Sequence, residues 1–184
     1  MKFLLELPML PSRDRVTPLF TTAQLQERIA ELGRELTADY AEKDLVVVGL
    51  LNGVYPFFAD LTRAMAMEFE VSFMQAASYG GGMESTGEVI IHKDLDASIR
   101  GRHCLVVEDI VDTGLTLHKI RHLLQDREPL SLKIVTLLNK PTRRKIEVVV
   151  DYVGFVIEDH FVVGYGLDLQ GKFRNLPFVG IYNP

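Results

Sequence analysis

"RHCLVVEDIVDTGLTLHKIRHLL", residues 102–124, passes from an apolar run through three carboxylates into a segment of helical period. Leu105, Val106 and Val107 follow one another without a polar break, the pattern of a strand covered on both faces, and the strand is read as Arg102 to Glu108. Leu117, Ile120 and Leu124 then recur at the spacing of one helix face. Between them lie Glu108, Asp109 and Asp112, then Thr113-Gly114-Leu115-Thr116. A doubly buried strand feeding a helix is half of a βαβ unit. This argues for an α/β fold with a central, mostly parallel sheet flanked by helices.

The flanking sequence repeats the pattern. Thr21 and Gln24 have capping-box spacing, and Leu25, Ile29, Leu32 and Leu36 follow on one helical face. Leu45 to Leu51 is a second buried strand, ending at Asn52-Gly53, and a helix with Pro56 in its first turn carries Phe57, Phe58, Leu61 and Met65. Phe69 to Ala77 and Glu88 to Lys93 read as strands on either side of a Gly-rich loop, Gly80-Gly81-Gly82 to Ser85-Thr86-Gly87, expected to be mobile. Leu130 to Leu138 and Glu147 to Ile157 are two more strands, with a turn at Lys140-Pro141-Thr142. From His160 to Pro184, Gly and aromatic residues without helical period predict irregular structure packed beside the sheet.

The 184 residues suit one domain, and 47% apolar with 24% charged residues is an ordinary globular balance. A net charge of −5 and no basic stripe leave nucleic acid unsupported as a partner. Small molecules are expected instead. The one cysteine, Cys104, lies in an apolar run and reads as a core residue, so no intrachain disulfide can form. The apolar start Met1 to Leu5 is cut off by Glu6 and Pro8, too short for an export signal or a membrane span, and a cytoplasmic location without membrane contact is expected. His118 and His122 stand at i and i+4, but Lys119 occupies the place where a metalloprotease has its Glu. They read as a solvated basic helix face.

Acids at a strand-to-helix turn pose a conflict, since that turn is a natural phosphate site. It resolves if different atoms take different partners. Backbone N–H groups at the helix start, with Thr113 and Thr116 hydroxyls, can surround an anion, and Gly114 lets the backbone approach closely. Glu108 and Asp109 can accept from sugar hydroxyls or from the water shell of Mg²⁺. Asp112 as a simple helix N-cap stays open on local grounds. A Walker loop is excluded by the missing Gly-Lys-Ser/Thr, and the aspartic-protease reading by a single Asp-Thr-Gly that precedes a helix.

"VVEDIVDTGLTL" resembles the signature with which type I phosphoribosyltransferases, hypoxanthine-guanine phosphoribosyltransferases in particular, bind 5-phosphoribosyl 1-pyrophosphate (PRPP). The resemblance implies that Glu108 and Asp109 serve the ribose and Mg²⁺, and that Asp112, Thr113, Gly114, Leu115 and Thr116 cradle the 5-phosphate. Asp112 would also be the catalytic proton acceptor at N7 of the purine. Leu51-Asn52-Gly53 matches the pyrophosphate loop, a turn whose strained peptide is often cis; many relatives have Lys where Asn52 stands.

Ser78-Tyr79 and the glycines after it match the closing catalytic loop. Lys140 matches the lysine that recognises the 6-oxo group, Phe161 the stacking aromatic, and Val162 a backbone contact to the base. Asp168 would help hold a second Mg²⁺, and Arg174 would meet pyrophosphate. The matches run over about residues 45 to 180. They imply purine salvage, transfer to hypoxanthine or guanine giving IMP or GMP, one domain over residues 1–184 (core about 40–158, small hood about 1–20 and 159–184), and a homo-oligomer, dimer or tetramer. A xanthine-preferring enzyme and a non-catalytic PRPP sensor stay open as alternatives.

Overall fold

The computed structural model describes residues 15–78 and 89–184. In chain order the elements are β1 (Val16–Phe20), α1 (Thr22–Tyr40), β2 (Leu45–Leu51), α2 (Tyr55–Ala64), β3 (Glu70–Ser78), β4 (Val89–Lys93), β5 (His103–Val111), α3 (Leu115–Gln125), β6 (Ser131–Asn139), β7 (Tyr152–Val156), β8 (Val162–Val163) and β9 (Val179–Tyr182). They build two sheets. The larger has the order β4-β3-β2-β5-β6-β7, parallel throughout except for β4. The smaller is antiparallel, with the order β1-β9-β8.

Both faces of the large sheet are covered, as continuous apolar strands require. On one face Val47, Leu105 and Val107 pack with Leu25, Leu32 and Leu36 of α1 and Phe57 and Leu61 of α2. On the other, Val46, Val48, Cys104 and Val106 pack with Leu117, Ile120 and Leu124 of α3. The capping box of α1 is formed: the Gln24 amide donates to Thr21 Oγ1 at 3.3 Å and the Thr21 amide to Gln24 Oε1 at 2.9 Å.

The connections set where a ligand can sit. β2 continues through α2 to β3 on one side, while β5 continues through α3 to β6 on the other, with the two helices on opposite faces. β2 and β5 are themselves neighbours. Their C-terminal ends therefore diverge from a common point, and the crevice outside such a switch point is where open α/β sheets bind ligands.

Three sequence expectations need correction. The strand foreseen over Glu147 to Ile157 is paired only from Tyr152 to Val156. Residues 147–150 instead cross beside α3, where Arg121 reaches the Val149 carbonyl at 3.5 Å and Val148 and Val150 join the α3-side core. Asp151 then brings the chain into the sheet, accepting from the Ile134 amide at 2.8 Å and donating its own amide to Ile134 O at 2.9 Å. β5 is also longer than foreseen, because β6 stays paired to it as far as Val111 and Asn139. The third correction lies at the C-terminal end, where β8 and β9 pair with each other and β9 with β1, around Val16, Val163 and Leu176. Short strands interrupted by glycines carry little period, so the alternation is hidden there.

Candidate active site

Glu108 and Asp109 lie within β5, near its C-terminal end, and Asp112 is the first residue after the strand. Side chains alternate between faces along a strand, so adjacent Glu108 and Asp109 point into different clefts. Glu108 lines a cleft of about 220 Å³ together with Leu51, Ala76, Asp112, Thr113, Gly114 and Thr116. Asp109 lines a second, of about 260 Å³, with Ile110, Asp112, Lys140, Phe161, Val162, Leu167 and Asp168. Asp112 borders both.

The first cleft ends at the start of α3. Its N-cap is Gly114, with φ of 80°, and no side chain caps the helix. The left-handed turn explains the glycine, since a Cβ there carries a steric cost and would also press on Ile146 O at 2.7 Å. Asp112 is therefore not a helix cap. The Leu115 amide meets only Thr113 Oγ1, at a long 3.4 Å, and the first-turn amides have no partner four residues back. Amides, Thr113 and Thr116 thus converge as anion donors. The backbone after β6 braces this loop, with the Lys145 and Ile146 amides donating to Thr113 O at 3.0 and 3.3 Å.

In the second cleft, Lys140 is buried although it begins a turn. Its amide donates to Val111 O at 2.9 Å, and its ammonium donates to the His160 carbonyl and lies 3.8 Å from Asp159. Phe161 is 53% exposed and lines the cleft, while neighbouring Val162 is buried and paired to β9. The Tyr182 amide fixes Phe161 by donating to its carbonyl at 2.9 Å. An exposed aromatic held by a paired backbone is a flat stacking surface.

Between the clefts comes the turn after β2. The Leu51-Asn52 peptide is cis, as the sequence resemblance implies. Gly53 is needed for packing: a Cβ at that position would overlap Oδ2 of Asp109 and come within 3.5 Å of Arg174 Nη1. Arg174 donates to Gly166 O at 2.6 Å and pairs with Asp168 at 2.8 Å. Asp168 also accepts from the Gly171 amide at 2.6 Å, so both of its oxygens are engaged. Asn52 meets Gln75 at 3.4 Å. Ser78 closes β3, whereas Tyr79 and the Gly-rich loop lie outside the described residues.

Burial, and then the neighbouring Asp109 carboxylate, push Glu108 well above the carboxylate range. Asp109 is also raised by burial, opposed by its hydrogen bond with Glu108 and by Arg174. Two desolvated carboxylates side by side favour a cation. No group of three His, Cys, Asp or Glu suited to a metal ion occurs among the described residues. That donor set suits Mg²⁺, which keeps several waters and uses one or two carboxylates plus substrate oxygens.

Sequence reading overlooked some lining residues. Ile110 and Leu167 wall the second cleft, and Arg143 lies 3.3 Å from Asp112 Oδ1 and 3.4 Å from Asp159 Oδ2. The signal for Arg143 was its place three residues after Lys140; apolar Ile110 and Leu167 carried none.

The Phosphoribosyl transferase domain model matches residues 18–170. Hypoxanthine phosphoribosyltransferase of Escherichia coli (strain K12) is 51% identical over 170 residues, covering 91% of this chain and 96% of the relative. A crystal structure of hypoxanthine phosphoribosyltransferase from Staphylococcus aureus superposes with a TM-score of 0.91 at 47% identity, covering 94% of each chain. One of a hypoxanthine-guanine phosphoribosyltransferase from Bacillus anthracis gives 0.86 at 43%, covering 90% of this chain and 97% of the other. Fold, clefts and likeness agree, and the chain belongs to the phosphoribosyl transferase family, within which it groups with the hypoxanthine phosphoribosyltransferases.

Proposed function

We propose that this chain is a purine salvage enzyme that transfers the 5-phosphoribosyl group of PRPP to N9 of hypoxanthine or guanine, giving IMP or GMP and pyrophosphate. The observation that carries the reading is the position of Asp112, on the wall shared by an anion-donor cleft and a cleft with a lysine and a stacking ring. In this reading the α3 amides, Thr113, Gly114, Leu115 and Thr116 hold the 5-phosphate. Phe161 stacks on the base, Val162 meets its edge through the backbone, and Lys140 donates to the 6-oxo oxygen.

An ammonium has no acceptor, so adenine's 6-amino group finds no partner there. N9 attacks C1 of the ribose as the bond from C1 to the pyrophosphate oxygen breaks, and Asp112 accepts the N7 proton. Asn52, Gly53 and Arg174 face the departing pyrophosphate, and the resemblance assigns Ser78 and Tyr79 to closing over the reacting centre. Glu108 and Asp109 would hold Mg²⁺, with Asp168 near a second ion; the metal supplies charge neutralisation on the phosphates. A single domain, a homo-oligomer and a cytoplasmic location belong to the same proposal.

The test is turnover with hypoxanthine, guanine, xanthine and adenine, with and without Mg²⁺. Product with the first two, dependent on Mg²⁺, is expected. Preference for xanthine would reassign the substrate, and PRPP binding without product from any purine would make the chain a sensor. Asp112→Asn should lower kcat about 10²- to 10⁴-fold while PRPP still binds; wild-type turnover in that variant would overturn the role given to Asp112.

A further inference from the structure

His118 and His122, one turn apart on α3, have no part in the proposed reaction. Their Nε2 atoms face each other at 3.1 Å, with ring centroids 4.5 Å apart and planes at 73°. His122 is exposed and His118 half-buried, so the pair opens to solvent. The spacing between the nitrogens is informative. With metal–nitrogen bonds of about 2.0 to 2.1 Å, two nitrogens on one tetrahedral ion lie roughly 3.3 Å apart and two adjacent ones on a square-planar ion roughly 2.9 Å.

We propose that His118 and His122 form a two-histidine chelating site for a borderline divalent transition ion: Zn²⁺, Ni²⁺ or Cu²⁺. Imidazole nitrogen suits these ions, whereas Mg²⁺ and Ca²⁺ select oxygen. Residues i and i+4 share a helix face, so the backbone already supplies the alignment. Without metal, one ring N–H can donate to the other ring's nitrogen, and binding an ion exchanges that hydrogen bond for two coordinate bonds. No third His, Cys, Asp or Glu completes a ligand group among the described residues, so water fills the remaining positions. Lys119 and Arg121 lie between the two histidines in sequence and weaken a dication's binding, moderately, because solvent screens exposed charges.

The site bears on the phosphate loop through the helix. The His118 amide donates to Gly114 O at 2.9 Å, so a clip across His118 and His122 spans the turns that follow the loop. Metal that binds only the folded helix stabilises it.

Calorimetric titration of the full chain without a polyhistidine tag, in excess MgCl₂ to occupy carboxylate sites, tests this with ZnCl₂, NiCl₂ and CuCl₂. One saturable equivalent is expected for wild type and for a control, His92→Ala, which removes a histidine of β4 outside the pair. His118→Ala and His122→Ala should each weaken it roughly 100-fold through loss of the chelate, and both should fold, since alanine favours helix. Zinc should raise the melting temperature only in chains that keep both histidines. Undiminished binding by the double variant, or no saturable binding of any of the three ions to wild type, would overturn the proposal.

Discussion

At the scale of single residues, neighbouring side chains can line different clefts while their carboxyl groups stay in contact. Glu108 and Asp109 are adjacent in sequence, yet each belongs to a different cleft. Gly53→Ala should therefore cost more activity than its small size suggests, since the added methyl overlaps the Asp109 carboxylate. We expect a fall in kcat/KM of roughly 100-fold, as for misplacement of reacting groups by about 1 Å, in steady-state assays. Lys140→Met keeps the length and removes the donors. It should lower kcat/KM for 6-oxopurines about 10- to 100-fold, as for one hydrogen bond from a charged group, while adenine's kcat/KM falls less. Most of these residues could be read from sequence because the acids, the threonines and the glycine stand together. Leu167 could not, since it reaches the site through a fold of the chain that no local spacing records, and Arg143 was marked only by its place three residues after Lys140.

Among the elements, legibility followed periodicity. α1 announced itself by both its cap and its face, and Thr21→Ala should cost about 1 kcal/mol of stability, read as a lower urea midpoint with an unchanged slope. β5 was equally legible, and its cysteine behaves as a core side chain. Burial pushes the Cys104 thiol up to about 12 from an ordinary 9.0. A raised pKa means that the neutral thiol's contribution to stability is intact below about pH 9 and is lost as pH rises toward 12. At pH 8 the native thiol therefore stays protonated and unreactive. Iodoacetamide should then leave the folded protein unmodified and label it only in denaturant, as mass spectrometry would record. The segment 147–151 misled because its valines look like a strand, while their partners are α3 and the second core rather than a ladder.

For the whole molecule, the class of the fold followed from βαβ alternation, but the second sheet did not. Its three strands come from opposite ends of the chain, and only tertiary pairing makes them strands. The segment between β8 and β9 is also tied to the helices on the large sheet. Thr22 Oγ1 donates to Pro177 O at 2.7 Å, and the Tyr165 hydroxyl donates to Asp60 on α2. Deleting residues 179–184 should abolish turnover, while far-UV dichroism retains most of the α/β signal.

The middle position of β9 in the small sheet also bears on birth order. A ribosome releases the chain from its N-terminus, and domains begin to fold as they emerge. Everything around the α3 amides exists once residue 152 has appeared, whereas Phe161 and Val162 wait for Tyr182 and Ile181, which emerge later. A nascent chain can thus present its phosphate grip well before it can recognise a base.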